Sequence, residues 1–385
     1  MSLNKEYQIM DSYYEMIVVL EIRLYPEEKP YHLFHLNRQL FEMKDAMKLK
    51  LLAVFLCFSI FQSESPAAPP VKLIFDTDMG NDIDDALALA VIHALQSRGE
   101  CELLAVTSSK DNPWSIMYCD VVNSFYGRPG IPLGTVSKGV TNLEGSYTRK
   151  VVETSEKGQP VFARRFQNAE QIPDAVSVLR STLAAQPDHS VVLVVVGFST
   201  NIARLLQSPG DQISPLTGLE LVSRKVKLLS QMIGRFDRDK PADFHEYNVK
   251  LDVPAAKTVY KLWPAEIPIV VSGWEVGRAI QNRASSIQND YDYVKYHPVK
   301  MGYEYWHEMP YDRPTYDLTS VLYAIRPGRG YFGLSKPGQF KINKLGKLEH
   351  TVKPDGNQQY LTLTPDQIIR VQEVLENLSS QPPAK

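Results

Sequence analysis

Five aspartates fall in one short stretch, Asp76-Thr77-Asp78-Met79-Gly80-Asn81-Asp82-Ile83-Asp84-Asp85. Carboxylates packed so closely repel one another unless something positive lies among them. A hard divalent cation with oxygen ligands supplies that charge. Calcium suits an irregular loop, because it accepts about six to eight oxygens in flexible geometry. Helix capping accounts for one or two of the acids, since the dipole of a helix N-terminus favours negative charge. It does not account for five. The EF-hand template does not fit, because its glycine and closing glutamate would be misplaced here.

The flanking residues must position that loop. Val71 to Phe75 is a short, branched apolar run that reads as a buried strand. Ala86 to Gln96 reads as a helix with a broad apolar face, and Glu102 to Val106 as the next strand. Strand, loop, helix, strand is a βαβ unit of a parallel α/β sheet. The acidic loop therefore sits at the carboxyl end of a strand, where open α/β sheets build ligand sites. The pattern recurs downstream. Helices are expected at Ala175–Ala185, Asn201–Gln207, Pro254–Leu262, Asp317–Ile325 and Asp366–Leu378. Strands are expected at Ser190–Val196, Val226–Ile233 and Ile267–Val271, with short strands and turns over Pro327–Tyr360. The first of these, SVVLVVV, is apolar on both faces, as a central parallel strand should be. The expected architecture is one α/β domain over about residues 70–380, with a mainly parallel, Rossmann-like sheet flanked by helices and a small C-terminal β/helix extension.

Composition narrows the function. The chain has 385 residues, 44% of them hydrophobic, and a net charge of −2 from 42 basic and 44 acidic side chains. A nucleic-acid footprint needs a basic patch, and no run of Lys or Arg supplies one. Lys48-Leu49-Lys50, the apolar run Leu51–Phe61 and the small residues Ser65, Ala67 and Ala68 have the layout of a secretory signal peptide over 47–67. That run is shorter than the ~20 residues a bilayer span needs. A periplasmic or secreted protein is expected, without membrane attachment after cleavage. Residues 1–46 then read as a start-site overcall, with translation beginning at Met47. Cys57 lies in the leader. Cys101 and Cys119 leave room for one disulfide, and their spacing is a poor zinc signature.

The acidic string resembles the signature of the inosine–uridine-preferring nucleoside hydrolase family, usually Asp-Thr-Asp-Pro-Gly, one residue, then Asp-Asp-Ala. Here Met79 replaces the proline and two extra residues precede the Asp pair, a longer form like that of a bacterial secreted branch. Four further segments match in order. They are Thr107–Asn112, Gly197-Phe198-Ser199-Thr200-Asn201-Ile202-Ala203, Glu246-Tyr247-Asn248 with Asp252 and Ala255-Ala256, and Arg313-Pro314-Thr315-Tyr316-Asp317. Together they span about residues 71–326.

The resemblance implies a nucleoside-hydrolase-like fold and cleavage of the N-glycosidic bond of ribonucleosides, giving free ribose and base, as in purine or pyrimidine salvage. It implies calcium held by Asp78, Asp85, Asp317 and the Val196 carbonyl. Asp84 would sit beside the metal against sugar or water, and Asn112, Glu246 and Asn248 would hold sugar hydroxyls. Asp78 would be the base for a calcium-bound water, since calcium lowers the pKa of its water less than zinc does. Asp82 has no counterpart and reads as an acceptor that stabilises the loop. A homodimer or homotetramer is expected. Many relatives place His before the late Asp to protonate the leaving base. This chain has Tyr316 there, a weaker acid than imidazolium, with His245, His297 and His307 as alternative donors. Tyr303, Tyr305 and Trp306 either stack on the base or belong to the core. Two other readings stand beside this one. One is a magnesium phosphatase of the haloacid-dehalogenase type, suggested by a strand followed by Asp-x-Asp. The other is a calcium-dependent sugar- or nucleoside-binding protein without catalysis.

Overall fold

Leu73 and Phe75 point to one face of the first strand and Ile74 to the other, and all three are buried. Alternation with no polar face is what a strand covered by helices on both sides requires. The structure, a computed structural model, describes residues 69–237 and 244–384; the expectations for residues 1–46, the leader at 47–67 and Cys57 lie outside them. Ala68–Lys385 is one compact unit.

Strand β1 (Val71–Thr77) is followed by α1 (Asp84–Ser97), β2 (Cys101–Ser108), α2 (Pro113–Phe125), β3 (Leu133–Thr135), the short α3 (Thr148–Val152) and α4 (Ala175–Ala184). Then come β4 (Val191–Val195), α5 (Thr200–Gln207), α6 (Gly218–Lys225), β5 (Val226–Met232), α7 (Tyr247–Leu251), α8 (Val253–Leu262) and β6 (Ile269–Ser272). The chain continues through α9 (Trp274–Ala279), α10 (Pro298–Trp306) and α11 (Tyr316–Ile325) to β7 (Gly338–Ile342), β8 (Leu348–Val352), β9 (Gln358–Thr362) and α12 (Pro365–Ser379).

The strands form a ten-stranded sheet in the order β8-β7-β9-β6-β5-β4-β1-β2-β3, with the two-residue strand Gly333–Leu334 beside β9. From β9 to β3 every pairing along that path is parallel, and β7 and β8 close the far edge antiparallel. The C-terminal extension thus joins the main sheet. One apolar layer packs Leu73 and Phe75 against α1, α2, α11 and α12. The other packs Ile74, Leu193 and Val195 against α4, α5 and α8. The sheet grows outward in both directions from β1 and β4, so the chain reverses direction across their carboxyl ends. In doubly wound sheets that point opens a crevice for ligand.

Strand β3 and helices α2, α3, α6, α7, α9 and α10 were not foreseen. Helix α2 is buried over most of its length, so its sequence has no solvent-facing stripe to reveal a period. The C-terminal strands and α12 lie where expected. Cys101 and Cys119 are free, buried thiols rather than a disulfide pair. No helix among the described residues is long and apolar enough to cross a membrane.

Candidate metal and sugar site

Strand β1 stops at Thr77 because the chain must turn sharply. Gly80 has φ +105°, a left-handed conformation that side chains rarely adopt. The Asn81 N–H returns to the Asp78 carbonyl at 3.3 Å. Buried Tyr147 staples the turn from outside, accepting from the Gly80 N–H at 3.0 Å and donating to the Asp82 carbonyl at 2.8 Å. Met79 and Ile83 are fully buried, which fixes the loop against the core. Asp84 and Asp85 then open α1. Gly197 lets the end of β4 lie directly against this turn. A Cβ there would come within 2.6 Å of the Asp78 amide nitrogen and 2.4 Å of Ser109 Oγ.

The late aspartate arrives from the other side. Asp317 is in the first turn of α11, and its N–H donates to Asp84 Oδ2 at 3.0 Å. Two helix N-termini therefore bring acids together, where their dipoles favour negative charge. Asp84, Asp85 and Asp317 each place a carboxylate oxygen within 4.8 Å of the others, and all three are buried. Burial pushes the three carboxyls well above the ordinary range, and their mutual charges and that of Asp78 add to this. Burial also raises Asp78 to about 6, against the hydrogen bond from Asn81 and the charge of Lys110. So many buried acids raising one another are a site short of positive charge. An oxygen-only donor set of this kind fits a hard divalent cation.

The expected residues separate into groups. Asp78 lies within electrostatic reach of Asp85 and Asp317. Its Oδ2 accepts from Asn81 Nδ2 at 2.5 Å, and it is not one of the three clustered carboxylates. Asp84, expected beside the metal, is in that cluster. Thr77 Oγ1 donates to Asp85 Oδ1. The Val196 carbonyl accepts from Asn248 Nδ2 at 2.7 Å, and Asn248 also donates to the Met232 carbonyl at 3.1 Å. Asn248 thus ties the ends of β4 and β5. Glu246 caps α7 through the N–H groups of Asn248 and Val249, and accepts from Gly234 at 3.0 Å. Burial raises it to about 7 against those three donors. Asn112 caps α2, accepting from the Trp114 N–H at 3.0 Å and donating to the Asn142 carbonyl at 3.1 Å. No hydrogen bond among the described residues joins Asn112 to the acidic cluster.

Asp82 pairs with Arg313 through Nε at 2.8 Å and through Nη2. Asp76 is buried behind the loop, accepting from Thr107 Oγ1 at 2.6 Å and Asn201 Nδ2 at 2.7 Å, and burial raises it to about 7. Tyr316 is half-buried beside Asp317 at the start of α11, its ring 6.3 Å from that of Trp274. Burial raises its hydroxyl to about 12. His297 caps α10 and hydrogen-bonds the Tyr293 hydroxyl at 2.7 Å, with burial holding it down at about 3. It is a structural residue. His307 packs against Trp306 and Tyr311. The three aromatic residues diverge. Tyr303 is core and stacks on Tyr311, Tyr305 is exposed, and Trp306 donates from Nε1 to the Asn81 carbonyl at 3.2 Å.

Three site residues carried no assignment in the sequence. Lys110, buried at 2% exposure, donates from Nζ to Asn81 Oδ1 at 2.6 Å. Arg313 covers the Trp306 ring at 4.4 Å. Asn81 joins Lys110 to Asp78. A lysine in the short polar loop after β2, Ser109-Lys110-Asp111-Asn112, was the available signal.

Fold and site together define an α/β protein with a buried, cation-seeking cluster at its switch point. The chain belongs to the inosine-uridine preferring nucleoside hydrolase family, whose profile matches residues 73–360. By class it is an enzyme acting on N-glycosyl bonds. Solved structures share the fold at low identity. A plant nucleoside hydrolase, PpNRh1, aligns with TM-score 0.58 and 18% identity over 82% of this chain and 100% of that one. An inosine-uridine preferring nucleoside hydrolase from Bacillus anthracis aligns with TM-score 0.58 and 16% identity over 80% and 99%. The type III effector protein XopQ, solved with adenosine diphosphate ribose, aligns with TM-score 0.59 and 16% identity over 82% and 95%. No curated protein sequence matches the chain.

Proposed function

We propose that this protein hydrolyses the N-glycosidic bond of ribonucleosides or related ribosides, releasing ribose and base, with calcium as its cation. The observation that carries the reading is the buried trio Asp84, Asp85 and Asp317 with Asp78 beside it, at the carboxyl ends of β1 and β4. Asp78, Asp85, Asp317 and the Val196 carbonyl are the proposed ligands, with Asp84 close enough to share that role or to take a sugar hydroxyl. A bound cation would supply a water of lowered pKa and hold a vicinal diol, which favours ribose over deoxyribose.

The chain's own groups do the rest. Asp78 takes the proton of the attacking water, with the Asn81 carboxamide holding its carboxylate in place. Glu246, held by the N–H groups of Gly234, Asn248 and Val249, and Asn248, held at the Val196 and Met232 carbonyls, orient the sugar. Asn112, at the start of α2, is a further proposed sugar contact. Cleavage passes through an oxocarbenium-like sugar, as in other glycoside hydrolyses, and the buried acids stabilise that positive charge. Tyr316 stands where the leaving base departs.

The phosphatase reading is not favoured by the family match. A sugar- or nucleoside-binding protein without turnover is the second reading, supported by Tyr316 in place of a stronger acid. The expected leader makes the compartment periplasmic or extracellular in this proposal, and N-terminal sequencing of the exported protein tests it. For the activity, reducing-sugar release from inosine, uridine and adenosine is measured with and without chelator. Release abolished by chelator and restored by calcium is expected. Asp78→Asn should lower turnover by about two to four orders of magnitude, the usual weight of a positioned base. Ligand-induced stabilisation with no ribose released selects the binding protein instead.

A further inference from the structure

The usual family turn has one residue between its glycine and the Asp pair. This chain has Asn81, Asp82 and Ile83 there. Both polar residues of that longer loop are wired to buried or half-buried cations from distant parts of the chain. Asp82 binds Arg313, and Asn81 binds Lys110. The second wire continues inward. Lys110 Nζ donates to Asn81 Oδ1 at 2.6 Å, and Asn81 Nδ2 donates to Asp78 Oδ2 at 2.5 Å. The main chain of Asn81 is held independently by the Trp306 indole at 3.2 Å. We propose that Lys110, acting through the Asn81 carboxamide, is a positioning residue for Asp78, and that the longer loop exists in this chain to carry that relay. The proposal rests on the reading of Asp78 as the base.

A buried ammonium is expensive, and a methionine of similar length would fill the same space without that cost. Lys110 lies within electrostatic reach of Asp78 and Asp85. Its hydrogen bond goes to an amide nonetheless. A direct ion pair would lay the ammonium on the carboxylate oxygen that must meet water or metal. The interposed amide fixes the direction of that carboxylate through Oδ2 while keeping the ammonium off it. Both ends of an amide are directional, because the oxygen only accepts and the nitrogen only donates. A charged donor at the oxygen locks which end faces Asp78. The trio of Asp84, Asp85 and Asp317 is held by other contacts, so removing Lys110 leaves it assembled while Asp78, itself a proposed ligand, loses its aim.

The test uses the full chain carrying Lys110→Met, Asn81→Ala, both together, and Lys110→Arg. Turnover of the best riboside is measured, with calcium affinity by calorimetry and thermal midpoint. Each single change should lower kcat by ~10²-fold, as a misplaced catalytic group does, with KM moved much less. The double variant should be no worse than either single one, because one chain of contacts is cut twice. Lys110→Arg should recover part of kcat. Lys110→Met and Asn81→Ala should each bind calcium several-fold more weakly than the parent, because Asp78 is also a proposed ligand, with the thermal midpoint little moved. Additive kcat losses, unchanged kcat, or calcium affinity falling in step with the midpoint would overturn the relay. If the parent releases no ribose, the proposed function fails, and the calorimetry still decides the relay. Weaker calcium in both single variants, no weaker in the double, supports it, and equal or tighter binding refutes it.

Discussion

Gly197→Ala is a small change that should be felt at the catalytic turn. The added methyl would lie 2.6 Å from the Thr77 carbonyl carbon, 2.6 Å from the Asp78 nitrogen and 2.4 Å from Ser109 Oγ. The Gly197 conformation is not left-handed, so the penalty is one of space. Two of the three atoms are backbone and belong to the strand end that carries Asp78, so they cannot swing aside. Ser109 Oγ is itself engaged, donating to the Thr77 carbonyl at 3.2 Å and accepting from the Phe198 N–H at 3.0 Å. Overpacking a core costs roughly 1–3 kcal/mol, and crowding against fixed backbone places this site at the upper end, ~3 kcal/mol. Urea unfolding of the metal-free protein reads it as a lowered midpoint at constant slope. The β1–β4 separation should widen, moving Asp78 relative to Asp317 and reducing turnover. A variant within about 0.5 kcal/mol of the parent, the range of innocuous surface changes, and with parental turnover would refute the claim that this contact sets the site.

The metal-free protein should lose stability as pH rises. Glu246 is raised from 4.5 to about 7 and Asp76 from 3.8 to about 7. The folded state therefore holds protons that the unfolded chain has released between about pH 4 and 7. That contribution is complete below pH 4 and lost as pH passes 7. Thermal midpoints with chelator present should fall between pH 5 and 8, and a flat or rising profile would contradict the burial of these acids. Arg313→Met should destabilise by roughly 2 kcal/mol, the scale of hydrogen bonds to charged groups, because Asp82 keeps its charge beside the cluster; Asp82→Asn in the same background should recover part of that loss in urea unfolding.

The periodic elements were legible because burial is written into their sequence. Strands β1, β4 and β5 and helices α1, α8 and α12 lie within a few residues of where their apolar patterns put them. The acidic loop was legible because five aspartates in one turn admit few explanations. The long-range partners were not. Lys110 meets Asn81 and Arg313 meets Asp82 only after the sheet is assembled, and no local pattern records such pairs. Some signals had two meanings. Asn112 before Pro113 resembles a sugar ligand by motif and a helix N-cap by chemistry, and its side chain caps α2. Glu246 likewise caps α7 while lying within electrostatic reach of Asp78. A residue that caps a helix at the sheet's carboxyl edge is held in place there, so one contact can both build the fold and aim a group at the ligand.

In the proposed reaction Tyr316 decides what leaves. Burial raises its hydroxyl to about 12, with the Arg313 guanidinium 6.0 Å from the ring opposing that shift and the charges of Asp84 and Asp82 adding to it. An acid that weak transfers little proton to a departing base, whereas a well-matched one contributes ~10²–10⁴-fold. The rate should therefore depend steeply on the leaving group's own stability. Ribosides of good leaving groups should turn over much faster than inosine, and adenosine, whose base departs poorly without protonation, should be among the slowest. Tyr316→Phe should then change turnover of the best leaving groups by less than about threefold, since they need no acid. Tyr316→His should act the other way, helping the poor leaving groups most. The measurement is kcat/KM across ribosides graded by leaving-group pKa for the parent and both variants. A parent indifferent to leaving-group pKa would mean that a proton is delivered efficiently after all. In that case loss of activity in Tyr316→Phe would assign the delivery to Tyr316, and its retention would assign it to another group, with His245 the remaining histidine next to the site's Glu246.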